Sequence, residues 1–295
     1  MSLMKINCVI LNYNDADTTI KLVGRIREYE SLNQIVVVDN ASTDDSAARL
    51  RELEDDKVVV LVSDSNRGYG AGNNRGVEYS FQISGATHVI IANPDTSFSE
   101  NCIEGMSRVF YHAPDVGVVA ATMEDAVYGS QRNGWPLRNF TKELLSMGPI
   151  SRRLFRRLLE YPESYFQDKN AVYVDAVHGS MLMVDGAVFT DCGGYDENVF
   201  LYQEESVLGW KMKQAGYRTV LLLKCHYLHE HSVSIGKTYK SQLARQQLRH
   251  DSTMYYFRHY LHINRFQEWV ARGWFWLLLL EIRLGAVVLS FFKLG

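Results

Sequence analysis

Short runs of β-branched and other apolar residues alternate with amphipathic stretches over the first 92 residues, and this alternation constrains the fold more than any other feature. Continuous apolar runs are typical of strands that are buried on both faces, and the segments between them have the length of crossover helices. We therefore predict an α/β fold with a mostly parallel central sheet flanked by helices. The predicted strands cover residues 6–11, 35–39, 58–62 and 88–92.

The helices between these strands are predicted from apolar spacing and from capping residues. Ile20 and Val23 share one face of the first helix. Ser42 is predicted to be the N-cap of the second helix, with Asp45 at its third position. The third predicted helix covers residues 74–83.

The strand and helix pattern weakens after residue 121. Residues 125–170 are too long for a plain connection, so we predict an insertion or a functional flap there. Further strands are predicted over residues 171–177, 181–184 and 219–223, and a helix over residues 241–268. We expect two parts: a main domain over residues 4–240 and an amphipathic, C-terminal helical extension over residues 241–295.

Composition excludes several classes of protein. The chain has 295 residues, of which 46% are apolar and 22% charged, so it is neither disordered, collagenous nor a disulfide scaffold. Its four cysteines lie far apart and form no Cys-x-x-Cys pair, which favours a reducing compartment. We expect no signal peptide before the first apolar run and therefore a cytoplasmic protein.

Charge is distributed unevenly, although the net charge is only -3. Residues 211–295 hold 13 Lys and Arg against 4 Asp and Glu, which predicts an anionic partner near the C-terminus. No recognised binding motif accompanies this charge, so we expect no nucleic acid partner. The apolar, aromatic residues 269–292 carry two charges in mid-segment, Glu281 and Arg283, and their longest uncharged apolar run is too short to span a bilayer.

Two segments are predicted to lie on a membrane surface. Residues 269–292 have the composition of an interfacial helix, and residues 152–159 form a second basic amphipathic stretch. We therefore expect a peripheral contact with the inner face of the plasma membrane. Packing of both helices against the core or against another subunit is the alternative.

Polar clusters follow the predicted strands where the strands end. Asn12, Tyr13 and Asn14 follow the first strand, residues 39–44 the second, and residues 93–95 the fourth. The glycine-rich residues 66–74 precede a helix. Turn geometry alone explains any one cluster. Because parallel sheets bind ligands at the carboxyl ends of their strands, four clusters at one edge favour a ligand site.

The residue types at this edge suit a nucleotide diphosphate. The carboxylate of Asp39 can accept hydrogen bonds from a nucleobase or a ribose. Backbone N–H groups between Gly68 and Gly72 can face phosphate at a helix N-terminus. Asp95 is a hard oxygen donor for a nucleotide-bound Mg²⁺, and Pro94 stiffens the chain before it.

Four ordered motifs resemble the family 2 glycosyltransferases of the GT-A fold, in their rhamnosyltransferase-like branch. The motifs are residues 39–44 (Asp-Asn-Ala-Ser-Thr-Asp), 66–73 (Asn-Arg-Gly-Tyr-Gly-Ala-Gly-Asn), 93–95 (Asn-Pro-Asp) and 193–197 (Gly-Gly-Tyr-Asp-Glu). The resemblance runs from about residue 5 to residue 236. It implies the GT-A (nucleotide-diphospho-sugar transferase) fold, followed by the C-terminal helical extension.

The resemblance also implies an activity. Such an enzyme moves a sugar from a nucleotide-diphosphate sugar donor with inversion. The branch implies dTDP-rhamnose as the donor, and UDP-sugars are the alternative. The implied acceptor is a saccharide or a lipid-linked saccharide in cell-surface polysaccharide synthesis, and the implied cofactor is a divalent metal, Mg²⁺ or Mn²⁺.

By resemblance, individual residues receive roles. Asp95, in the place of the family's Asp-x-Asp motif, is implied at the metal. His229, five residues before Ser234, is implied at the metal or at the donor diphosphate. The implied donor-binding residues are Asn12, Tyr13, Asn14, Asp39, Asn66, Gly68, Ala71, Asn74, Asn93 and His178. His178 is open to contact with either the donor or the acceptor.

The catalytic base is also implied by the resemblance. Glu205 falls on the position of the family's aspartate base, and its neighbour Glu204 is the second candidate. Helix capping is the alternative role for both carboxylates. Val207 and Lys211 depart from the family pattern, which has Asp and Arg at these positions.

Two other functions compete with this interpretation. A nucleotidyltransferase would carry a glycine-rich basic loop after the first strand, where this chain has neither Gly nor Lys. A non-catalytic sugar-binding or membrane-scaffolding relative would have lost the carboxylates that this chain retains. A dinucleotide oxidoreductase is disfavoured, because no Gly-x-Gly-x-x-Gly motif follows the first strand.

Overall fold

The computed structural model describes residues 4–125, 129–230 and 242–292. Ten strands form one sheet, and two short strands, β8 and β10, form a second. In chain order the strands are β1 (Ile6–Asn12), β2 (Gln34–Asp39), β3 (Val58–Val62), β4 (His88–Ala92), β5 (Thr96–Phe98), β6 (Val116–Asp125), β7 (Gly129–Gln131), β8 (Gly134–Trp135), β9 (Ala171–Val174), β10 (Ala176–Val177), β11 (Met181–Asp185) and β12 (Arg218–His229).

The main sheet has the order β3-β2-β1-β4-β11-β6-β12-β5, with β7 paired to β6 and β9 to β12. Strands β1, β2, β3, β4, β6 and β12 run in one direction, and β11 runs against them between β4 and β6. The predicted α/β class with a mostly parallel sheet is therefore confirmed. The first four predicted strands are confirmed to within one residue at each end.

Helices flank both faces of the sheet. They are α1 (Ala16–Ile26), α2 (Ser46–Arg51), α3 (Tyr69–Glu78), α4 (Glu100–His112), α5 (Phe140–Met147), α6 (Pro149–Leu154), α7 (Arg156–Leu159), α8 (Gly186–Asp191), α9 (Glu204–Gln214), α10 (Gln242–His259) and α11 (Arg265–Phe292). Helix α3 continues into a π-helical turn, Tyr79–Ile83. Within the described chain, no helix has the length and apolar composition that crossing a bilayer requires.

Strand β1 shows why the central strands are apolar on both faces. Ile10 belongs to a core shared with α1 and α4, whereas the neighbouring Val9 belongs to a core shared with α3 and α9. Side chains alternate between the faces of a strand, so both faces need apolar residues. A Cβ added at Gly76 of α3 would lie 2.4 Å from a methyl carbon of Val9. This glycine lets α3 lie close to the sheet, with its N-terminus at the carboxyl edge of β1.

A third apolar core joins the C-terminal helices to the rest of the protein. It contains Leu144 of α5, Val207 of α9, Phe257 of α10 and Phe275 of α11. The segment predicted to be an insertion or flap thus contributes α5 to this core. Residues 231–241 lie outside the described chain, so the domain division at residue 240 stays a prediction.

The predicted cap at Ser42 is wrong. Helix α2 begins only at Ser46, and the Ser42 hydroxyl donates instead to Oδ1 of Asp39 at 2.6 Å. The Ser42 oxygen accepts from the backbone N–H of Asn14 at 2.9 Å, and not from a helix N–H as an N-cap would. Helix α3 begins five residues before the predicted position, because Gly68 has a φ of 95° and starts the helix there.

Three predicted elements of the second half have different bounds. The strand predicted over residues 171–177 divides at Asp175, which accepts a hydrogen bond from the backbone of Leu137, and its halves join different sheets. The strand predicted to end at residue 223 continues past a bulge to His229. The helix predicted over residues 241–268 breaks near His262, whose φ is 50°, and Asn264 then caps α11. Helix α4 and strand β6 have no counterpart among the predictions.

Candidate active site

The carboxyl ends of β1 and β2 form a rigid polar edge. Asp39 is fully buried, and its Oδ1 accepts hydrogen bonds from Nδ2 of Asn12 at 2.8 Å and from the hydroxyl of Ser42. The backbone N–H of Thr43 donates to Oδ1 of Asn14 at 2.7 Å. Tyr13 is half-buried between these partners. Asn12, Asn14 and Asp39 are therefore held together by one network, in which the Ser42 hydroxyl also accepts from the Asn14 N–H.

The glycine-rich loop before α3 contacts the loop before α9. A Cβ on Gly68 would lie only 2.2 Å from the carbonyl oxygen of Phe200, which accepts a hydrogen bond from the Tyr69 N–H at 2.9 Å. Oδ1 of Asn66 accepts from the Gly68 N–H and from Nδ2 of Asn40, both at 3.0 Å. This close approach requires glycine and brings the predicted phosphate loop to the helix that carries Glu205.

Helix α3 is also hydrogen-bonded to the motif at residues 193–197. Nδ2 of Asn74 donates to the carbonyl of Tyr195 at 2.9 Å and to a carboxylate oxygen of Glu197 at 3.2 Å. Ala71 is buried in the first turn of the same helix. The predicted contacts of Asn74 and Ala71 with a donor stay predictions. The structure gives Asn74 a role in fixing the loop that leads to α9.

Asp95 and His229, the two residues implied at a metal, lie side by side. Oδ1 of Asp95 is 3.2 Å from Nε2 of His229, and both side chains are buried. The extension of β12 brings His229 there, since β12 pairs with β5 directly after Asp95. The backbone N–H of Asn93 donates to the carbonyl of Ser180 at 2.7 Å. Ser234 lies outside the described residues.

This pair of side chains fits an ion that is bound together with a nucleotide. Among the described residues, no group of three or more His, Cys, Asp or Glu could hold a metal by itself. A nucleotide-bound divalent cation needs only one or two protein carboxylates, because phosphate oxygens and water complete its coordination. Neutral imidazole is a common metal ligand in proteins, so His229 can add one ligand beside the carboxylate of Asp95. Asp95 and His229 therefore fit a cation that the diphosphate helps to hold.

A series of contacts leads from Asp95 to Glu205. The imidazole rings of His229 and His178 have centroids 5.6 Å apart. The next residue, Gly179, donates its backbone N–H to Oε1 of Glu205 at 3.2 Å. These contacts connect the predicted metal residues with the predicted base.

Ser180 and Tyr227 hold His178 in this series of contacts. The Ser180 hydroxyl lies 2.9 Å from Nδ1 of His178 and 2.6 Å from the Tyr227 hydroxyl. Tyr69 donates its hydroxyl to the carbonyl oxygen of Gly179 at 2.7 Å. The sequence analysis assigned no role to these hydroxyls, because they meet only when β11 and β12 join the sheet.

The two adjacent carboxyls that begin α9 have different surroundings. Glu204 is buried, and its Oε1 has no hydrogen-bond partner within the described chain. Burial, reinforced by the nearby charge of Glu205, raises the pKa of Glu204 to about 8. Glu205 is half-buried and is oriented by the Gly179 N–H. Glu204 therefore keeps its proton at neutral pH more readily than an ordinary glutamate.

Comparison with known families assigns the chain. The family model of Glycosyl transferase family 2 matches residues 8–182, more than half of the chain. The chain belongs to glycosyl transferase family 2. The resemblance stated from the four motifs is thereby confirmed.

Two relatives place this family 2 member more closely. It is 27% identical over 201 residues to the low-salt glycan biosynthesis hexosyltransferase of Haloferax volcanii, and the match covers 68% of this chain and 59% of that protein. It is 26% identical over 255 residues to the N-acetylglucosaminyl-diphospho-decaprenol L-rhamnosyltransferase of Mycobacterium tuberculosis, with 81% and 80% covered.

Solved structures confirm the GT-A fold. The mannosyltransferase PcManGT from Pyrobaculum calidifontis, solved with GDP-Man and Mn²⁺, has a TM-score of 0.58 at 16% identity and covers 90% of this chain and 66% of its own. GalNAc-T7, solved with UDP, GalNAc and Mn²⁺, has a TM-score of 0.60 at 14% identity and covers 78% and 44%.

In this glycosyltransferase, the turn before α9 is held by elements distant in sequence. Tyr202 and Gln203 both have φ values of 73°, a left-handed conformation that side chains disfavour. Nε2 of Gln203 donates to Oε1 of Glu143 in α5 at 3.1 Å and to the Thr253 hydroxyl in α10 at 3.3 Å. Sequence reasoning missed these supports, because only the folded chain brings them near the turn.

Proposed function

We propose that this protein is an inverting, metal-dependent glycosyltransferase that uses a nucleotide-diphosphate sugar donor. We further propose rhamnose as the sugar and a saccharide or lipid-linked saccharide as the acceptor, in cell-surface polysaccharide synthesis. The observation that carries the proposal is the series of contacts from Asp95 through His229, His178 and Gly179 to Glu205. The name of the Mycobacterium tuberculosis relative supports both the sugar and the lipid-linked acceptor.

In this proposal Glu205 is the catalytic base. It accepts the proton of the acceptor hydroxyl while the hydroxyl oxygen attacks the anomeric carbon. The new C–O bond forms on the face opposite the breaking bond to the diphosphate, so the anomeric configuration inverts. The raised pKa of Glu204 supports this choice between neighbours, because a carboxyl that retains its proton cannot accept another.

Asp95 and His229 would hold the divalent cation in this proposal. A bound Mg²⁺ or Mn²⁺ offsets the negative charge that develops on the leaving nucleoside diphosphate. The N–H of Tyr69 donates to Phe200, but the other backbone N–H groups in the first turn of α3 would add hydrogen bonds to phosphate. The hydrogen-bonded residues Asn12, Asp39 and Ser42 would line the binding site of the nucleoside.

The proposal is tested by nucleoside diphosphate release and by product stereochemistry. The purified chain is incubated with dTDP-rhamnose and with UDP-sugars, with Mg²⁺, Mn²⁺ or EDTA, and with saccharide acceptors. We expect acceptor-dependent release of the diphosphate only with metal, and NMR should show the inverted anomer. A retained anomer contradicts the mechanism. Pyrophosphate release from a nucleoside triphosphate would instead indicate a nucleotidyltransferase, and binding without turnover a non-catalytic relative.

A further inference from the structure

Helices α6 and α7 expose several large apolar side chains beside arginines. Leu154 is 74% exposed, and Ile150, Phe155 and Leu158 are exposed as well. In contrast, Leu159 is completely buried and anchors the segment to the protein. A cluster of exposed large apolar residues marks a surface that another phase or molecule covers.

Helix α11 presents a second exposed apolar face. Trp269 is 72% exposed, and Phe266, Trp276 and Leu277 lie on the same helical face and are exposed too. The opposite face, which includes Phe275, packs in the core shared with α5 and α10. Helix α11 therefore has two apolar faces. One is buried in the third core, and the other is exposed.

The helices that carry the two apolar surfaces all contact α5. Helix α5 packs against α6 and α7, and it contacts α11 and shares the third core with it. We call the exposed residues of α6, α7 and α11 together the docking surface. Its aromatic members favour the interface between water and lipid, where tryptophan is enriched in membrane-bound proteins.

Charge identifies what the docking surface contacts. Four arginines, at positions 152, 153, 156 and 157, are exposed among the apolar residues of α6 and α7. Arg152 and Arg156 share Glu160, whereas Arg153 and Arg157 make no ion pair within the described residues. An excess of arginine around exposed leucine and aromatic side chains is complementary to anionic lipid headgroups.

A second copy of the chain fits this surface less well than a bilayer does. In a two-fold symmetric dimer the same patch faces itself, so the arginines of both copies would approach one another. We propose that the docking surface binds the face of an anionic phospholipid bilayer, with the apolar side chains of α6, α7 and α11 inserted between headgroups. This inference is independent of the proposed chemistry.

The test is co-sedimentation of the full chain with vesicles of phosphatidylcholine alone or with added phosphatidylglycerol. We expect binding to the anionic vesicles that weakens as salt is added. The double variant Leu154→Glu, Leu158→Glu should reduce the partition coefficient about tenfold or more, and Arg153→Glu with Arg157→Glu should do the same. Ile83→Glu is the matched control, because Ile83 is 72% exposed on another part of the protein and its variant should bind as the unmodified chain does.

Insertion is measured separately by quenching with brominated lipids. Tryptophan fluorescence should be quenched by anionic brominated vesicles, and less so in the double variant Trp269→Phe, Trp276→Phe. Thermal unfolding confirms that the variants are folded. Equal partition of the unmodified chain and all variants overturns the inference. So does a concentration-dependent dimer that Leu154→Glu dissociates, since the surface would then bind a second copy.

Discussion

The hydroxyl of Ser252 donates a hydrogen bond to the carbonyl oxygen of Leu201 at 2.6 Å. This bond joins helix α10, in the C-terminal part of the chain, to the turn that begins α9. The next residue, Thr253, accepts a hydrogen bond from Gln203 in the same turn. The C-terminal helices therefore contact the backbone immediately before Glu205, and they contribute to the geometry of the proposed base.

Ser252→Ala should lower kcat more than it weakens donor binding. Loss of the hydrogen bond leaves the Leu201 carbonyl without this donor and costs about 1 kcal/mol of stability. A small displacement of the turn moves Glu205, so we expect kcat to fall about tenfold. Ser107→Ala is the control, since the Ser107 hydroxyl also donates to a backbone carbonyl but lies in α4. Equal kcat values for the two variants would show that α10 does not position the base.

Glu205→Gln should abolish most of the turnover while donor binding is retained. A glutamine can still accept the hydrogen bond from Gly179, but it cannot take up a proton. Positioned proton transfer is worth about 10²–10⁴ in rate, so kcat should fall within that range. Calorimetric titration with the nucleoside diphosphate and Mn²⁺ checks binding. If Glu204→Gln loses as much turnover as Glu205→Gln, the assignment of the base to Glu205 is wrong.

The sequence predicted the sheet well, because local patterns determine buried parallel strands. The apolar runs and the polar residues after them located β1 to β4 and the edge that carries Asn12, Asp39 and Asp95. Spacing alone did not place His229 in a strand. The extended β12 is stabilised by pairing with β5 and β6, which are distant in sequence.

The support of the turn before α9 was not predictable in the same way. Glu143 and Ser252 carry no local pattern that distinguishes them from other polar residues on helices. Their role depends on the third apolar core, which brings α5 and α10 together against α9. The prediction of an N-cap at Ser42 failed for a related reason: a competing donor, the Asn14 backbone N–H, reaches the Ser42 oxygen only when β1 and β2 pair.

The pKa of Glu204 predicts how stability depends on pH. Because burial raises this pKa from 4.5 to about 8, the folded chain binds more protons than the unfolded chain between these values. Stability contributed by this group is therefore present at low pH and is lost as pH rises from 4.5 to 8. Glu204→Gln should raise Tm by several degrees at pH 8 and by much less at pH 5.

Thermal unfolding at both pH values checks this prediction. Glu52→Gln serves as the control, because Glu52 is exposed and its variant should leave Tm almost unchanged at either pH. If the difference in Tm between Glu204→Gln and the unmodified chain is the same at pH 5 and at pH 8, the pKa of Glu204 is not raised.

Gly68→Ala should disrupt the contact between the loops before α3 and α9. The added Cβ would clash with the Phe200 carbonyl, and the φ of 95° at this position is unfavourable for alanine. We expect a loss of stability of about 2 kcal/mol or more, together with weaker nucleotide binding. Gly85→Ala is the matched control, since Gly85 also has a positive φ, 70°, but nothing lies within 4 Å of its added Cβ. Equal Tm losses would mean that backbone strain alone, rather than the approach of Phe200, accounts for the effect.

His229→Asn should weaken the binding of the metal ion in the presence of nucleotide. Asparagine is too short to reach the position of Nε2 beside Asp95, so a cation would lose one of its two protein ligands. We expect the Mn²⁺ concentration that gives half-maximal activity to rise about tenfold or more. The rise in Tm that a nucleoside diphosphate produces with Mn²⁺ should shrink in parallel, since binding to the folded chain stabilises it. His226→Asn is the control, because His226 is exposed on the same strand and pairs with Glu124. Identical metal titrations for the two variants would remove His229 from the proposed cation site.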